Sequence, residues 1–210
     1  MSLHHNALAP LIAQLLQVET ATLGHLLDQG FMHPQLQCVL PEGVRCCGPA
    51  LTASLPENDG YSLPLALAAA RPGDVLVIER VNDDRHACWG AVMTAAARQA
   101  GIAAVILDGY ITDLSAIRAE NFPVWCKGRS PLTTKRGKNG GTVNQPVICG
   151  GVPVCPGDIV LADENGVIAL PAAQITRYVE EAIRIQQREP LIIEKLRQGL
   201  SLAEIYRHQN

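Results

Sequence analysis

Charge is scarce in this chain: 18% of its 210 residues are Asp, Glu, Lys or Arg, and the net charge is −3. No basic run interrupts that balance, so no polyelectrolyte partner is implied and direct binding of DNA or RNA is set aside. Long apolar runs are missing too. Gly, Pro or an acid breaks each one well before the ~20 residues needed to span a bilayer, and no membrane association is expected. Met1-Ser2-Leu3-His4-His5 lacks the basic start and apolar centre of a secretory leader, which points to a cytoplasmic protein. The seven cysteines show no CxxC spacing. An odd number of thiols scattered among apolar residues suits buried free cysteines in a reducing compartment and argues against a zinc site. Only His86 lies close to one, two residues before Cys88, and packing is the favoured reading of that pair. A glycine-rich strand–turn–helix nucleotide motif is also absent, since Gly73-Asp74 precedes a strand where such a motif would follow one.

What remains is enough chain for one large domain or two small ones, with a substantial core. Apolar spacing predicts helices over residues 8–16 and from Thr20 to about Gln29, both peripheral. A strand at residues 50–53 is followed by a polar loop, an Ala-rich helix over 62–70 and a buried strand at 75–78. After the charged loop 82–85 come a helix over about 90–99 and a strand at 103–107. That alternation predicts a mixed or parallel sheet with crossover helices. A short strand at 122–126 leads into a polar stretch, 128–141, containing Arg129, Lys135, Arg136 and Lys138, whose Lys138-Asn139-Gly140-Gly141 reads as a flexible tip. Paired strands about a glycine turn are expected over 147–154. A hairpin over 159–170 follows, turning at Asp163-Glu164-Asn165-Gly166. From Ala172 onward an amphipathic helix is expected, interrupted near Pro190. Pro-Gly-Asp stands before an apolar strand twice, at residues 72–74 and 156–158, an echo too short to establish a repeat.

The chemistry is expected at Val105-Ile106-Leu107-Asp108-Gly109-Tyr110-Ile111-Thr112-Asp113, an apolar strand running into an acid and a turn. In open α/β sheets, strand-end loops and helix N-termini converge at the strands' C-terminal edge, where ligands gather. Trp89-Gly90 opens the neighbouring helix. Taken alone, Asp108 reads as a turn or capping acid and Asp113 as the N-cap of a helix over 114–119. Trp89 reads as packing beside the pocket. His33 and His86 read as structural, and Asp163 and Asn165 as hairpin-turn residues.

These segments, taken in order, resemble the RraA-like family, which includes the regulator of ribonuclease activity A and the metal-dependent 4-hydroxy-4-methyl-2-oxoglutarate aldolases. They are Arg71-Pro72-Gly73-Asp74-Val75-Leu76-Val77, Trp89-Gly90, Asp108-Gly109-Tyr110-Ile111-Thr112-Asp113, Lys135-Arg136-Gly137, Asn144-Gln145-Pro146-Val147, Gly150-Gly151-Val152, Pro156-Gly157-Asp158 and Ala162-Asp163-Glu164-Asn165-Gly166-Val167. The resemblance spans about residues 18–185. It implies one α/β domain over residues 1–210 of the three-layer β/β/α swivelling type, with peripheral N-terminal helices. A C-terminal helical arm covers about 172–210, and the assembly is a homotrimer or homohexamer.

The resemblance also implies an activity. A small α-keto acid chelates a divalent metal, Mg²⁺ or else Mn²⁺, anchored by a carboxylate at Asp113. Asp108, Thr112 and Asp113 fall at the catalytic positions; Trp89, Gly90, Ala91, Val92, Lys135 and Arg136 fall in the substrate-binding segments. The reaction implied is aldol cleavage of a 4-hydroxy-2-oxo acid, oxaloacetate decarboxylation, or both. Thr112 stands where the family carries an arginine, Ala91 where it carries an acid, and His25 where it often carries an acid. Lys135 or Arg136 is the expected replacement for the missing charge. Loss of one preorganised donor costs ~10²–10³ in rate, so a degraded or re-targeted lyase is one reading. A non-catalytic regulator or assembly protein acting through protein contacts is the other.

Overall fold

A computed structural model describes residues 3–137 and 140–207. Lys138 and Asn139 of the expected flexible tip lie outside the described residues, as do 208–210 at the end of the arm. In chain order the elements are α1 (Leu3–Leu15), α2 (Thr20–Leu23), β1 (Gln37–Cys38), β2 (Cys46–Pro56), α3 (Ser62–Ala69), β3 (Val75–Val81), β4 (Ala87–Trp89) and α4 (Ala91–Ala100). Then follow β5 (Ala104–Ile111), α5 (Leu114–Ala119), β6 (Val124–Arg129), β7 (Thr142–Val143), β8 (Val147–Cys149), β9 (Val152–Val154), β10 (Ile159–Ala162), β11 (Val167–Leu170), α6 (Ala172–Arg197) and α7 (Leu202–Arg207).

The central sheet runs β1-β6-β5-β3-β2-β10-β11, with β4 on β5 and β7 on β2. Its heart, β2-β3-β5-β6, is parallel, and α3, α4 and α5 lie on the connections between its strands. Parallel strands covered on both faces are apolar throughout rather than alternating, and Val75, Leu76, Val77 and Ile78 are all fully buried. One face of the sheet packs Leu76, Ile78, Val105, Leu107 and Ile111 against the helices, along with Trp89, Ile117 and Phe122. The other packs Val75, Val77, Ala104, Ile106 and Trp125 under the antiparallel β8–β9 hairpin. Helices, sheet and hairpin make the three β/β/α layers. β2 joins the two halves: its first four residues pair with β10 and its last seven with β3.

A third core lies at the β10–β11 end, where Leu15, Val18, Leu23, Ile175 and Val179 cover Ile159, Leu161, Ile168 and Leu170. Asp163 ties this end together. Its carboxylate accepts from the Thr20 amide (2.7 Å) and hydroxyl (2.6 Å) and from the Asn165 amide, and its carbonyl accepts from Trp125 Nε1. It is the expected hairpin-turn residue, and it also fixes the start of α2.

Three expectations on the elements need correction, and one strand was not foreseen. Pro190 lies inside a continuous α6. Residues 187–191 are exposed there, so the ladder bond lost to the proline ring falls beside a stretch that carries no buried side chain. The second helix is only four residues, followed by turns. The strand read over 103–107 continues through Asp108-Gly109 to Ile111, because β6 and β4 pair with its far end. The three-residue β4, foreseen by no periodicity, fills the place beside Tyr110 and Ile111.

Candidate functional site

β4 and β5 end side by side: Trp89 pairs with Ile111, and the Thr112 amide donates to the Trp89 carbonyl at 2.8 Å. Each strand then turns directly into a helix, so Gly90-Ala91 and Thr112-Asp113 face each other at the C-terminal edge of the sheet. Asp113 takes the N-cap position of α5 in a left-handed conformation (φ 54°) but makes no side-chain bond to that helix. Its carboxylate turns to α4, where Oδ2 accepts the Ala91 amide at 3.0 Å. The Thr112 hydroxyl lies 3.3 Å from Oδ1. Asp113 therefore caps a helix, as its residue type suggests, but the neighbouring one. The arrangement needs Gly90: a Cβ there would stand 2.5 Å from Asp113 Oδ2 and 2.9 Å from Thr112 Cγ2. An α-helix N-terminus carries unsatisfied N–H groups and partial positive charge, so the Asp113 carboxylate is stable at this point.

Trp89 is 1% exposed. Its Nε1 donates to Thr94 Oγ1 at 2.9 Å, and its ring stacks on Phe122 with centroids 6.5 Å apart. It forms the floor beneath the site and packs there, as expected. Val92, on the first turn of α4, is 81% exposed.

Asp108 lies on the other side of the sheet. Its Oδ1 meets Lys127 Nζ at 2.5 Å and its Oδ2 accepts the Gly150 amide at 3.1 Å, tying β5 and β6 to the β8–β9 hairpin. Lys135 and Arg136 are exposed and sit against the β2–α3 loop: the Lys135 amide donates to the Asn58 carbonyl and the Gly60 amide to the Lys135 carbonyl. Among the described residues, no hydrogen bond or ion pair joins either of them to Thr112 or Asp113.

Two residues that sequence reasoning passed over shape this edge. Arg80 is buried against Gly109, where a Cβ would lie 2.7 Å from its Cγ. Its guanidinium is held by the carbonyls of Glu57 and Asp59 and by Asp83 Oδ2 at 2.6 Å. Asp83 also meets His86 Nδ1 at 2.6 Å. Burial pushes the Asp83 carboxyl up, but the bonds from Arg80 and His86 outweigh it and hold the group below its usual value. So His86 is oriented by an acid, and its proximity to Cys88 is incidental. The other residue is Arg129, paired with Ile111 across β5–β6. The signal for it was present as a basic residue at the head of a polar stretch, but only strand register shows which neighbour it meets.

The thiols supply no nucleophile here. All seven are free, and burial pushes Cys88 up to about 12 and Cys126 up to about 11. Among the described residues no group of three or more His, Cys, Asp or Glu side chains is gathered for a metal, and no helix is long and apolar enough to cross a membrane.

An exposed acid facing a helix N-terminus at the C-terminal edge of a parallel sheet stands where α/β folds gather their ligands. Residues 20–169 match the RraA-like family, described as Aldolase/RraA, and the chain belongs to that family. A Halalkalibacterium halodurans protein named "Putative 4-hydroxy-4-methyl-2-oxoglutarate aldolase" is 36% identical over 148 residues, 70% of each chain. The crystal structure of Streptomyces coelicolor RraAS2, described as an unusual member of the RNase ES inhibitor RraA protein family, superposes with a TM-score of 0.75 at 27% identity. It covers 87% of this chain and 94% of its own. An uncharacterised protein from Pseudomonas syringae superposes at 0.81, 25% identical, over 95% of this chain and 94% of its own.

Proposed function

We propose that this protein is a carbon–carbon lyase acting on a small α-keto acid, with Asp113 as the anchor for a hydrated divalent cation, Mg²⁺ or Mn²⁺. The observation that carries the reading is the exposed Asp113 carboxylate, held to the α4 N-terminus by one amide while the Thr112 hydroxyl stands 3.3 Å away. Most of its lone pairs remain free. One carboxylate with no surrounding cage fits a hard cation that keeps its water and takes few protein ligands. Such a cation, when bound, polarises the keto oxygen of the substrate.

This chain's residues then do three things. With the Ala91 amide given to Asp113, the next α4 amides, at Val92 and Met93, receive the substrate carboxylate, as helix N-termini receive anions. In a 4-hydroxy-2-oxo acid, loss of the C4 hydroxyl proton drives that electron pair into a carbonyl and breaks C3–C4. The bonding pair becomes the pyruvate enolate, which takes a proton at C3; oxaloacetate reaches the same enolate by releasing CO₂. The Thr112 hydroxyl donates to the developing oxyanion, without the charge an arginine would bring. Trp89 and Phe122 close the floor to water.

The relatives' aldolase names support this reading. Val92 on one side of the site and Leu132 on another leave apolar surface in water, which supports a trimer or hexamer with the site near a subunit boundary. The test is metal-dependent release of pyruvate from 4-hydroxy-4-methyl-2-oxoglutarate and from oxaloacetate, with Asp113→Ala as control. A wild-type rate that is indifferent to chelation would overturn the metal's role. No rate on either substrate would return the chain to a regulator acting through its surfaces.

A further inference from the structure

We infer that Arg129 is the cation that binds the substrate's negative charge at this site, opposite the α4 N-terminus. The inference rests on the lyase reading above and assigns its missing charge.

Register puts Arg129 there. Ile111 and Arg129 are directly paired in parallel strands, which lie about 4.8 Å apart, and the Ser130 amide donates to the Ile111 carbonyl at 2.9 Å. Paired residues of a parallel sheet project to the same face. Ile111 lies in the helix-side core with Trp89, so Arg129 emerges on that side too, level with the residue that precedes the Thr112-Asp113 turn. Its side chain is long enough to reach the space above that turn.

Most of the competing cations are committed elsewhere. Lys127, two residues earlier on β6, is paired with Asp108 beneath the hairpin. Arg80 is buried and held by Asp83 and two carbonyls. Arg118 Nε donates to the Val39 carbonyl, and Arg98 is engaged with Glu120. Lys135 and Arg136 follow the 132–134 run that flanks Ala87 of β4, and Lys135 bonds the β2–α3 loop through its backbone; neither pairs with β5 as Arg129 does. Arg129 is exposed, and among the described residues no ion pair engages it. Enolate chemistry places a dianion between the α4 amides and the strand ends, and an unspent guanidinium offers that dianion two parallel N–H donors.

The probe is oxalate, a stable dianion shaped like the enolate of pyruvate, titrated calorimetrically into the full-length protein with Mg²⁺. Wild type should bind it, and Arg129→Ala should weaken binding about tenfold or more with an unchanged melting temperature. Arg129→Lys should fall between the two. Thr112→Arg should restore affinity in the Arg129→Ala background and add less to wild type, because the two charges serve the same anion. Arg129→Ala binding oxalate as tightly as wild type, while Asp113→Ala fails to bind, would overturn the assignment of Arg129 and leave the lyase reading standing. Absence of oxalate binding by wild type would overturn both.

Discussion

Asp108 and Asp113 stand five residues apart on one strand and its exit, and the sheet sends them to opposite faces. Asp108 is spent: an ammonium at 2.5 Å and a backbone amide at 3.1 Å use its oxygens to hold two strands and a hairpin together. Asp113 is exposed and makes one amide bond and one long hydroxyl contact. Both are acids near the end of a parallel strand, and both fall in the same short motif. The difference between them is burial and charge: Asp108 is partly buried against an ammonium, whereas Asp113 is exposed and meets only neutral donors. A carboxylate that folding has neutralised contributes to stability; one that folding has merely aimed is free for a ligand.

The largest expected effect separates the two. Asp113→Ala should abolish Mg²⁺-supported turnover and oxalate binding while the melting temperature stays nearly unchanged. Asp108→Ala should do the reverse, costing about 1–3 kcal/mol in urea unfolding because Lys127 loses its partner in a half-buried setting. If Asp108→Ala were the more damaging to turnover at full stability, the division of labour would be wrong.

Gly90→Ala sharpens the comparison from the backbone side. The new methyl would collide with the Asp113 carboxylate and with Thr112, so turnover should drop about tenfold or more, since small misplacements at a site are costly. Asp108 chemistry and the β8–β9 hairpin should be untouched, which chemical-shift mapping would show.

Asp83 extends the comparison to a third acid, spent like Asp108. Its folded-state value lies below the unfolded one, so its contribution is fully present above the unfolded value, about 3.9. It is lost as pH falls through the folded value. Acid unfolding of wild type should therefore steepen below about pH 4, and Asp83→Asn should flatten that limb. An identical acid limb in the variant would sink the assignment.

The smallest effect concerns the thiols. Cys155 alone is exposed, while Cys46, Cys47, Cys88, Cys126 and Cys149 are buried. One thiol should react with a maleimide within seconds at neutral pH and the buried five only on unfolding, without loss of turnover.

Much of this fold was legible in the sequence where one residue pattern sufficed. The all-apolar run at Val75 reads directly as a strand covered on both faces, and Asp163-Glu164-Asn165-Gly166 reads directly as a turn. Legibility failed where the deciding partner was distant. Asp108-Gly109 looks like the end of a strand, but Lys127 satisfies the acid and Arg80 packs where the glycine has no side chain. The capping chemistry of Asp113 was readable; that it serves the helix 22 residues upstream was not. Arg129 sat in plain view, indistinguishable from Lys135 and Arg136 until register placed it beside Ile111.

The Asp163 knot has a kinetic consequence. Its bonds to Thr20 close a loop of 143 residues, and closure entropy delays contacts of such separation until nearer ones have formed. The β3-α4-β5-α5-β6 segment, whose strands pair with near neighbours, is positioned to assemble earlier, with the chain ends docking after the rate-limiting step. Thr20→Val should then leave the refolding rate almost unchanged and speed unfolding instead. The ends of this chain thus govern how long the native state lasts, while its middle governs how quickly that state is reached.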